Sequence, residues 1–408
     1  MNNKGTLSPS EELTEPGRLF LLALSSSYFV TQIPLLIIAL LLVNIGETFR
    51  LPVGVVGQVE TVASLFGMVS AVLCAAWSVR YHHKSLLLVG LVIFGISAVG
   101  CFFAYNFIML LIFYAIVGVG YSIIEPMLYT LVADHLPSEK HSSAIGWLLT
   151  GNALVGLICP PVVGLIARIS GWRWAFLGIM LPSTLLGVIL VFKAVPSSDR
   201  GAQFTKGQGN YWAGFNEVIT NRSATACLIG TIFALTAWQV IIVYSMSFLR
   251  ERLSVSLELA SILIVGFASG FLLGSQVGGR MANWLGVKPL TVFSTFFISV
   301  SIILFMNTSN LWLALIIIYT CSLSGGIRFT TVNSLSLGQV PKFYGTMMSL
   351  NTLAIWIGAA IGTGLGGLFL VRADYGLVGL IFGILSLVSA FIFNFLVIDP
   401  TRINEPNS

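Results

Sequence analysis

The chain has 408 residues, of which 56% are hydrophobic and only 9% are charged. Soluble domains carry about 25% charged residues, so this composition excludes an ordinary soluble protein and indicates a protein that lies largely in a lipid bilayer. The net charge of +5 is explained below by basic loops, so it predicts no nucleic-acid partner.

Twelve apolar stretches long enough to cross a bilayer follow one another along the chain. A helix needs about 20 apolar residues to span the hydrocarbon, and these runs lack the ten-residue alternation of a β-barrel. The predicted fold class is therefore an all-α integral membrane protein. The predicted spans cover residues 19–44, 53–79, 85–104, 107–133, 143–168, 174–195, 223–249, 257–282, 288–306, 311–338, 344–371 and 375–398.

The longest polar segment between spans divides the twelve into two groups of six. It is rich in Gly, Ser and Gln, which is typical of a linker. Its end, YWAGFNEVI, favours a short interfacial helix because Tyr, Trp and Phe side chains lie well at headgroup level. The predicted segments are an amino-terminal tail (1–18), an amino-terminal six-helix bundle (19–195), a linker (196–222), a carboxy-terminal six-helix bundle (223–398) and a carboxy-terminal tail (399–408).

The basic residues predict the orientation. If both termini are cytoplasmic, thirteen of the twenty Lys and Arg residues fall on the cytoplasmic side and six on the other, while Arg328 falls inside a span. This bias is the one that sets topology in membrane proteins. We therefore expect a multi-pass protein of the cell membrane with a cytoplasmic linker and cytoplasmic tails.

The two halves resemble each other. Pro137 and Pro341 match at an offset of 204 residues, and GLICPPVVG (156–164) falls beside GAAIGTGLG (358–366). Weak similarity between two six-span halves is typical of a transporter built from parallel repeats.

The order of several motifs resembles the major facilitator superfamily over nearly the whole chain. AAWSVRYHHK (75–84) and GRMANWLGVK (279–288) stand where the family has a Gly-x-Leu-Ala-Asp-Arg-x-Gly-Arg-Lys loop, with Val79 and Asn283 at the acidic position. GWRWAF (171–176) and GAAIGTGLGGLF (358–369) are also typical of the family. The antiporter pattern of span 5 is matched by Gly156, Pro160, Pro161 and Gly164.

The chain thus resembles a twelve-span member of this superfamily, closest to its drug:proton antiporter and arabinose-efflux-permease-like branch. The resemblance implies two pseudo-symmetric six-helix bundles, and a span 5 region that helps to prevent proton leakage. The alternative for that region is ordinary packing by glycine. The resemblance also implies that four loop residues hold the outward-facing state closed, namely Arg80, Lys84, Asn283 and Lys288.

Three ionisable residues lie well inside spans: Glu60, Glu125 and Arg328. Each costs about 2.5–3.5 kcal/mol near the centre of a membrane helix, so such residues usually serve a function or pair with a partner. Glu125 precedes Pro126, which frees a backbone carbonyl, and a carboxyl group in a partly dry cavity can exchange protons near neutral pH. We predict proton or substrate sites at all three, the alternative being structural hydrogen bonding.

The offset of 204 brings Arg328 to position 124, next to Glu125. Because spans 4 and 10 line the central cavity in the family, the resemblance implies that these two residues lie at similar depth on opposite walls. Further candidates for lining the cavity, each also interpretable as a packing residue, are Gln32, Asn152, Trp238, Gln239, Tyr244, Asn333 and Asn351.

The chain departs from the family in its proton machinery. Drug:proton antiporters usually have an arginine four residues before the glycine that Gly118 matches, and Tyr114 stands there instead. Span 1 also lacks the usual acid. If transport is coupled to protons, Glu125 or Glu60 must therefore carry them.

The predicted function is secondary active transport by alternating access, with proton-coupled export of a small amphipathic molecule favoured. The first alternative is proton-linked uptake or exchange of a small organic anion, and the second is a transport-inactive sensor or assembly protein. An ATP-binding loop, a nucleophile–base set and paired cysteines are missing from the sequence, so we expect no enzyme, cofactor or metal site. The expected partners are a small-molecule substrate, protons and the lipid bilayer, and the expected state is a monomer.

Overall fold

The computed structural model describes residues 18–78, 81–136, 138–196 and 211–399, and within these ranges the chain is helical without strands. Twelve of the helices described there are long and apolar enough to cross a membrane. This confirms the predicted all-α membrane fold with two six-helix bundles. Arg80 and most of the linker and both tails lie outside the described residues, so their predicted positions stay predictions.

The spans of the amino-terminal bundle lie close to their predicted positions. Span 2 has a break at Gly57, where Tyr244 of the other bundle packs against the backbone, and span 6 contains one π-helical turn. In chain order the helices are Arg18–Phe49 (span 1), Val53–Val56 and Gln58–Ser78 (span 2), His83–Phe102 (span 3), Phe107–His135 (span 4), Ser138–Ser170 (span 5), and Arg173–Ala175, Phe176–Met180 and Leu181–Ala194 (span 6).

A short helix, Tyr211–Thr220, precedes the carboxy-terminal bundle at the place where the sequence favours one. A 3₁₀ turn, Pro341–Phe343, stands before span 11. The spans of this bundle are Arg222–Arg252 (span 7), Leu257–Leu285 (span 8), Val287–Asn307 (span 9), Leu311–Gln339 (span 10), Tyr344–Arg372 (span 11) and Tyr375–Phe395 (span 12).

The repeat is most regular at spans 4 and 10. Both helices have 29 residues, and both their starts (107 and 311) and their ends (135 and 339) are 204 residues apart. Each begins at an asparagine, Asn106 or Asn310, whose side chain accepts a hydrogen bond from the amide three residues later. Such caps satisfy amides that a helix start leaves unpaired, so the two helices begin in the same way as well as at matching positions.

The two bundles meet along three pairs of spans: 1 with 7, 2 with 11, and 5 with 8. We call the end where the described chain begins and stops the termini end, and the opposite one the far end. Between described residues, each hydrogen bond or ion pair that joins the bundles lies in the half nearer the far end. These contacts are Asn44–Arg250, Gln58–Gly364, Thr61–Thr363 and Arg168–Glu258. The far end is therefore closed in this structure.

Glycine allows the closest approach between the bundles. A Cβ atom at Gly367 would lie 2.5 Å from Nε2 of Gln58 and 2.7 Å from Oη of Tyr244, and closer still to the carbonyl oxygen of Gly54. The backbones of spans 2 and 11 thus touch with no side chain between them. Small residues serve this purpose in membranes, where helices gain little from hydrophobic association.

Candidate functional site

Glu125 lies half-buried on span 4 among three tyrosines. Tyr28 of span 1 donates a hydrogen bond from its hydroxyl to Oε1 of Glu125, at 3.2 Å. Tyr121 and Tyr129 are close enough to interact with the same carboxyl group, and the rings of Tyr28 and Tyr129 pack edge to face. We call Glu125 and these three residues the tyrosine cage. It has hydroxyl donors for a carboxylate but no described cation that forms an ion pair with it.

The tyrosine cage faces the other bundle. Residues 121, 125 and 129 are four apart, so they share one face of the helix. At the middle of the molecule this face meets the carboxy-terminal bundle, where the rings of Tyr121 and Trp356 lie 5.2 Å apart. Nearer the termini end, Tyr129 is 37% exposed. The hydrogen bonds and the ion pair that join described residues of the two bundles all lie nearer the far end, so none of them is on the termini side of the tyrosine cage.

Arg328 lies on span 10 inside the carboxy-terminal bundle and is only 4% exposed. Its guanidinium group stacks over the ring of Trp238 of span 7, with 5.5 Å between Cζ and the ring centroid. Its Nε atom is buried without a hydrogen-bond partner, and it belongs to none of the ion pairs between described residues. A buried charge without a counter-charge is unusual in proteins.

Glu125 and Arg328 do not face each other. The offset of 204 makes Phe329 the counterpart of Glu125, and Phe329 is 44% exposed. The counterpart of Arg328 is Ile124, which packs against Gly90 of span 3 inside its own bundle. Adjacent positions on a helix differ by about 100°, so the one-residue difference turns Arg328 towards the interior of its own bundle.

Glu60 lies in the first turn of the continuous part of span 2, close to where the bundles meet. Tyr114 of span 4 donates a hydrogen bond from its hydroxyl to Oε2 of Glu60, at 2.9 Å. Tyr114 is the residue that stands in place of the arginine of drug:proton antiporters, so a neutral donor serves Glu60 here. Its chain neighbours Gln58 and Thr61 both bond to span 11, which places this acid beside the closed far end.

Four of the remaining cavity candidates lie in three different places. Gln32 donates a hydrogen bond to the hydroxyl of Tyr121, at 3.3 Å, and therefore belongs with the tyrosine cage. Asn351 donates to Asn333 at 3.3 Å and ties spans 10 and 11 together. Tyr244 donates to the carbonyl oxygen of Thr363 at 2.8 Å, at the junction of the bundles.

Two other candidates are less informative. Gln239 is buried on span 7 against Gly362 of span 11, which is a position inside one bundle. The side chain of Asn152 lies outside the described residues, so its role stays a prediction.

The span 5 glycines pack against span 8 of the other bundle. A Cβ atom at Gly156 would lie 2.5 Å from that of Ala268, and one at Gly164 would lie 3.0 Å from that of Ser261. Pro160 lies inside the same unbroken helix, Ser138–Ser170, together with Pro161. The motif therefore permits close contact between the bundles, and its proposed part in proton retention stays a prediction.

The gating candidates that the structure describes, Lys84, Asn283 and Lys288, lie at the termini end. Lys84 donates hydrogen bonds from Nζ to the carbonyl oxygens of Val195, at 2.6 Å, and Phe192, at 3.1 Å. Asn283 is exposed, and Lys288 lines a groove between spans 9 and 12. With the far end closed, their predicted role in the opposite conformation stays a prediction.

The tyrosines of the cage were not among the residues predicted from sequence. The spacing of four between Tyr121, Glu125 and Tyr129 is a signal that sequence reasoning could have used. Tyr28 comes from another span, and only the packing of spans 1 and 4 brings it to Glu125.

Sequence comparisons match nearly the whole chain to one family. The family model of the Major Facilitator Superfamily matches residues 20–246 and 227–408. A probable sugar efflux transporter of Mannheimia succiniciproducens is 24% identical over 387 residues, which cover 90% of this chain and 91% of the relative. The MFS-type transporter YbcL of Bacillus subtilis is 24% identical over 400 residues, with 94% and 96% covered.

Solved structures share the fold. The D-xylose-proton symporter superposes with a TM-score of 0.78 at 14% identity, covering 94% of this chain and 98% of the other. A bacterial homologue of the human lysosomal transporter Spinster, in an inward-facing and unoccupied conformation, superposes with a TM-score of 0.75 at 18% identity, with 95% and 98% covered.

Proposed function

Because this chain belongs to the major facilitator superfamily and is a secondary transporter, we propose that it couples the export of a small amphipathic molecule to protons, with Glu125 as the proton carrier. The observation that carries the proposal is the tyrosine cage, in which a membrane-embedded carboxyl group has hydroxyl donors and forms no ion pair with a cation of the described chain. A neighbouring cation would keep the carboxyl group ionised, whereas hydroxyl groups allow it to be either protonated or ionised.

In the proposed cycle, substrate and proton bind alternately in the space between the bundles. With the far end closed, Glu125 releases its proton to the termini side and the cavity takes up substrate there. Opening of the far end and closing of the termini end then release the substrate and admit a new proton. The two bundles rock about the shared cavity, as in other transporters built from repeats.

Export is the proposed direction for two reasons. A relative that matches 90% of the chain is named a probable sugar efflux transporter, and the span 5 pattern resembles that of antiporters. The aromatic side chains at the meeting of the bundles, among them Tyr121 and Trp356, suit an amphipathic molecule. We further propose a monomer in the cell membrane with both termini in the cytoplasm, so that the termini side is the cytoplasmic side.

Arg328 favours a second candidate function, proton-linked uptake or exchange of a small organic anion. An arginine that forms no ion pair with an acid of the described residues is a natural binding group for a carboxylate. Both candidates use Glu125 for the proton and differ in the charge of the substrate and in the direction of its movement.

The test uses purified protein in liposomes that enclose a pH-sensitive dye. Lipophilic cations, neutral drugs and small carboxylates are added one at a time to wild type, Glu125→Gln and, as a matched control, Glu217→Gln, which changes an exposed acid of the connecting helix. We expect substrate-dependent proton flux that falls at least tenfold in Glu125→Gln and is unchanged in Glu217→Gln. Substrate movement without proton flux in wild type would contradict proton coupling and leave a passive carrier.

A further inference from the structure

Arg328 presents a binding edge that nothing in the described chain occupies. The side chain is 4% exposed, its Nε has no hydrogen-bond partner, and no described acid forms an ion pair with it. Removing a guanidinium group from water is unfavourable unless hydrogen bonds and a counter-charge replace the water. An anion from outside the described chain would supply the missing counter-charge and hydrogen-bond acceptor at this position.

The neighbours of Arg328 fix the orientation of the guanidinium group. The ring of Trp238 covers one of its faces, and Phe267 stacks on Trp238 at 5.8 Å. Gly325, one helical turn before Arg328, leaves the space for this ring, since a Cβ atom at Gly325 would overlap it. The ring covers one face of the flat group, so its donors lie along its edges, and the buried Nε on one edge has no acceptor among the described residues.

The free edge matches one chemical group. An arginine edge with Nε and a terminal nitrogen donates two parallel hydrogen bonds, and a carboxylate accepts both in one plane. A spherical anion such as chloride meets the same charge without this planar match. A neutral hydroxyl or amide leaves the charge uncompensated.

We propose that Arg328, oriented by Trp238, binds the carboxylate group of the transported molecule, so that the substrate is a small amphipathic organic acid. The inference rests on the proposed function in taking this chain as a carrier of a small molecule, and it holds for either direction of movement. It gives the substrate class a head group that the fold alone does not specify.

The first test measures binding to purified protein in detergent, in low-salt buffer at pH 7, where simple carboxylic acids are ionised. Radiolabelled benzoate is the probe, with benzamide as its neutral analogue, acetate as a head group without a ring, and chloride as a spherical anion. We expect benzoate to bind at least tenfold more tightly than benzamide, acetate or chloride. Arg328→Gln should remove the preference for benzoate over benzamide, and Arg328→Lys should retain part of it.

A second pair of variants separates orientation from charge. Gly325→Ala displaces the Trp238 ring while it keeps the arginine, and we expect benzoate affinity to fall at least threefold. Gly266→Ala in span 8 is the matched control, because a Cβ atom there meets nothing within 4 Å. This variant should bind benzoate as wild type does.

Three results would overturn the inference. Wild type could bind no benzoate, Arg328→Gln could keep the preference for benzoate over benzamide, or chloride could bind as tightly as benzoate, which would indicate a site for a simple inorganic anion. A different measurement would contradict the proposed function, namely the absence of substrate-dependent proton flux in liposomes. Each proposal can therefore fail while the other stands.

Discussion

The closed far end depends on direct backbone contact between the bundles, and Gly367→Val tests this dependence. A Cβ atom at Gly367 would lie 2.5 Å from Nε2 of Gln58 and closer still to the carbonyl oxygen of Gly54. Non-bonded carbon and oxygen atoms stay about 3.3 Å apart. The bundles must therefore separate by about 1 Å before the far end can close around a valine.

A separation of that size breaks two hydrogen bonds between the bundles. Gln58 donates to the carbonyl oxygen of Gly364 at 3.1 Å, and the hydroxyls of Thr61 and Thr363 lie 2.8 Å apart. An extra 1 Å takes both beyond hydrogen-bonding range. Each hydrogen bond contributes about 0.5–1.5 kcal/mol. Losing both therefore reduces the free energy that favours the closed far end over the open one by about 1–3 kcal/mol. The population ratio should shift about 5- to 150-fold towards the open far end.

Spin labels on the two bundles measure this shift by double electron–electron resonance, which gives the distribution of distances between the two labels. Tyr105 and Ser309 are exposed at the far end of opposite bundles, and the five native cysteines are buried, so labels at 105 and 309 report the opening. We expect Gly367→Val to gain a longer distance and Thr61→Val to shift less in the same direction. Gly345→Val is the control, because a Cβ atom there meets nothing within 4 Å.

The reasoning is refuted if Gly367→Val gives the wild-type distance distribution, or if Gly345→Val shifts it equally. In either case the glycine contact would not determine whether the far end closes.

Three further predictions about packing and hydrogen bonding can be tested by thermal unfolding in detergent. Tyr114→Phe should lower the midpoint of unfolding more than Glu60→Gln does. Only the first substitution leaves an acceptor, the carboxyl group of Glu60, without its donor, and this loss should reduce the free energy of unfolding by about 1–3 kcal/mol. Equal midpoints for the two variants would contradict this. Gly118→Ala should be strongly destabilising because its Cβ atom would overlap a backbone oxygen of span 2, whereas Gly146→Ala has open space; similar stability of the two would count against the packing described. Asn351→Ala should cost about 1 kcal/mol through two lost hydrogen bonds between helices, and an unchanged midpoint would show that this pair does not hold spans 10 and 11.

The twelve spans were predictable because each is a run of about 20 apolar residues, and a bilayer leaves a helix as the only way to satisfy the backbone of such a run. The ends were less predictable. Span 1 continues to Phe49, five residues beyond its predicted end, and Asn44 bonds to Arg250 of the other bundle. Contacts that form only in the folded protein set these ends.

The sequence predicted the single residues of the candidate site that stand out by their chemistry. It did not predict the contacts that form only when the helices pack. Glu125 stands out in sequence as a lone acid in an apolar run. Its donor Tyr28 is 97 residues away, and a tyrosine in an apolar helix gives no sign that its hydroxyl will meet a carboxyl group. In the same way, nothing in the sequence around Tyr114 indicates that it bonds to Glu60.

Arg328 shows how far internal symmetry can be used. The offset of 204 predicts its depth but says little about its direction, because one residue turns a helix by about 100°. Glu125 faces the other bundle, while Arg328 stacks on Trp238 inside its own. The two charges therefore have different neighbours, which agrees with the proposed division into a proton site and a site for the acid head group.

Separate sites have a measurable consequence. If Glu125 and Arg328 paired when the termini end closes, removal of one charge would leave the other unpaired, and the double variant would recover part of the loss. For sites without shared partners the two losses add in free energy, within about 0.5 kcal/mol. We therefore expect the fold losses in proton-coupled benzoate flux of Glu125→Gln and Arg328→Gln to multiply in the double variant. A double variant that transports better than this product would show that the two charges meet during the cycle.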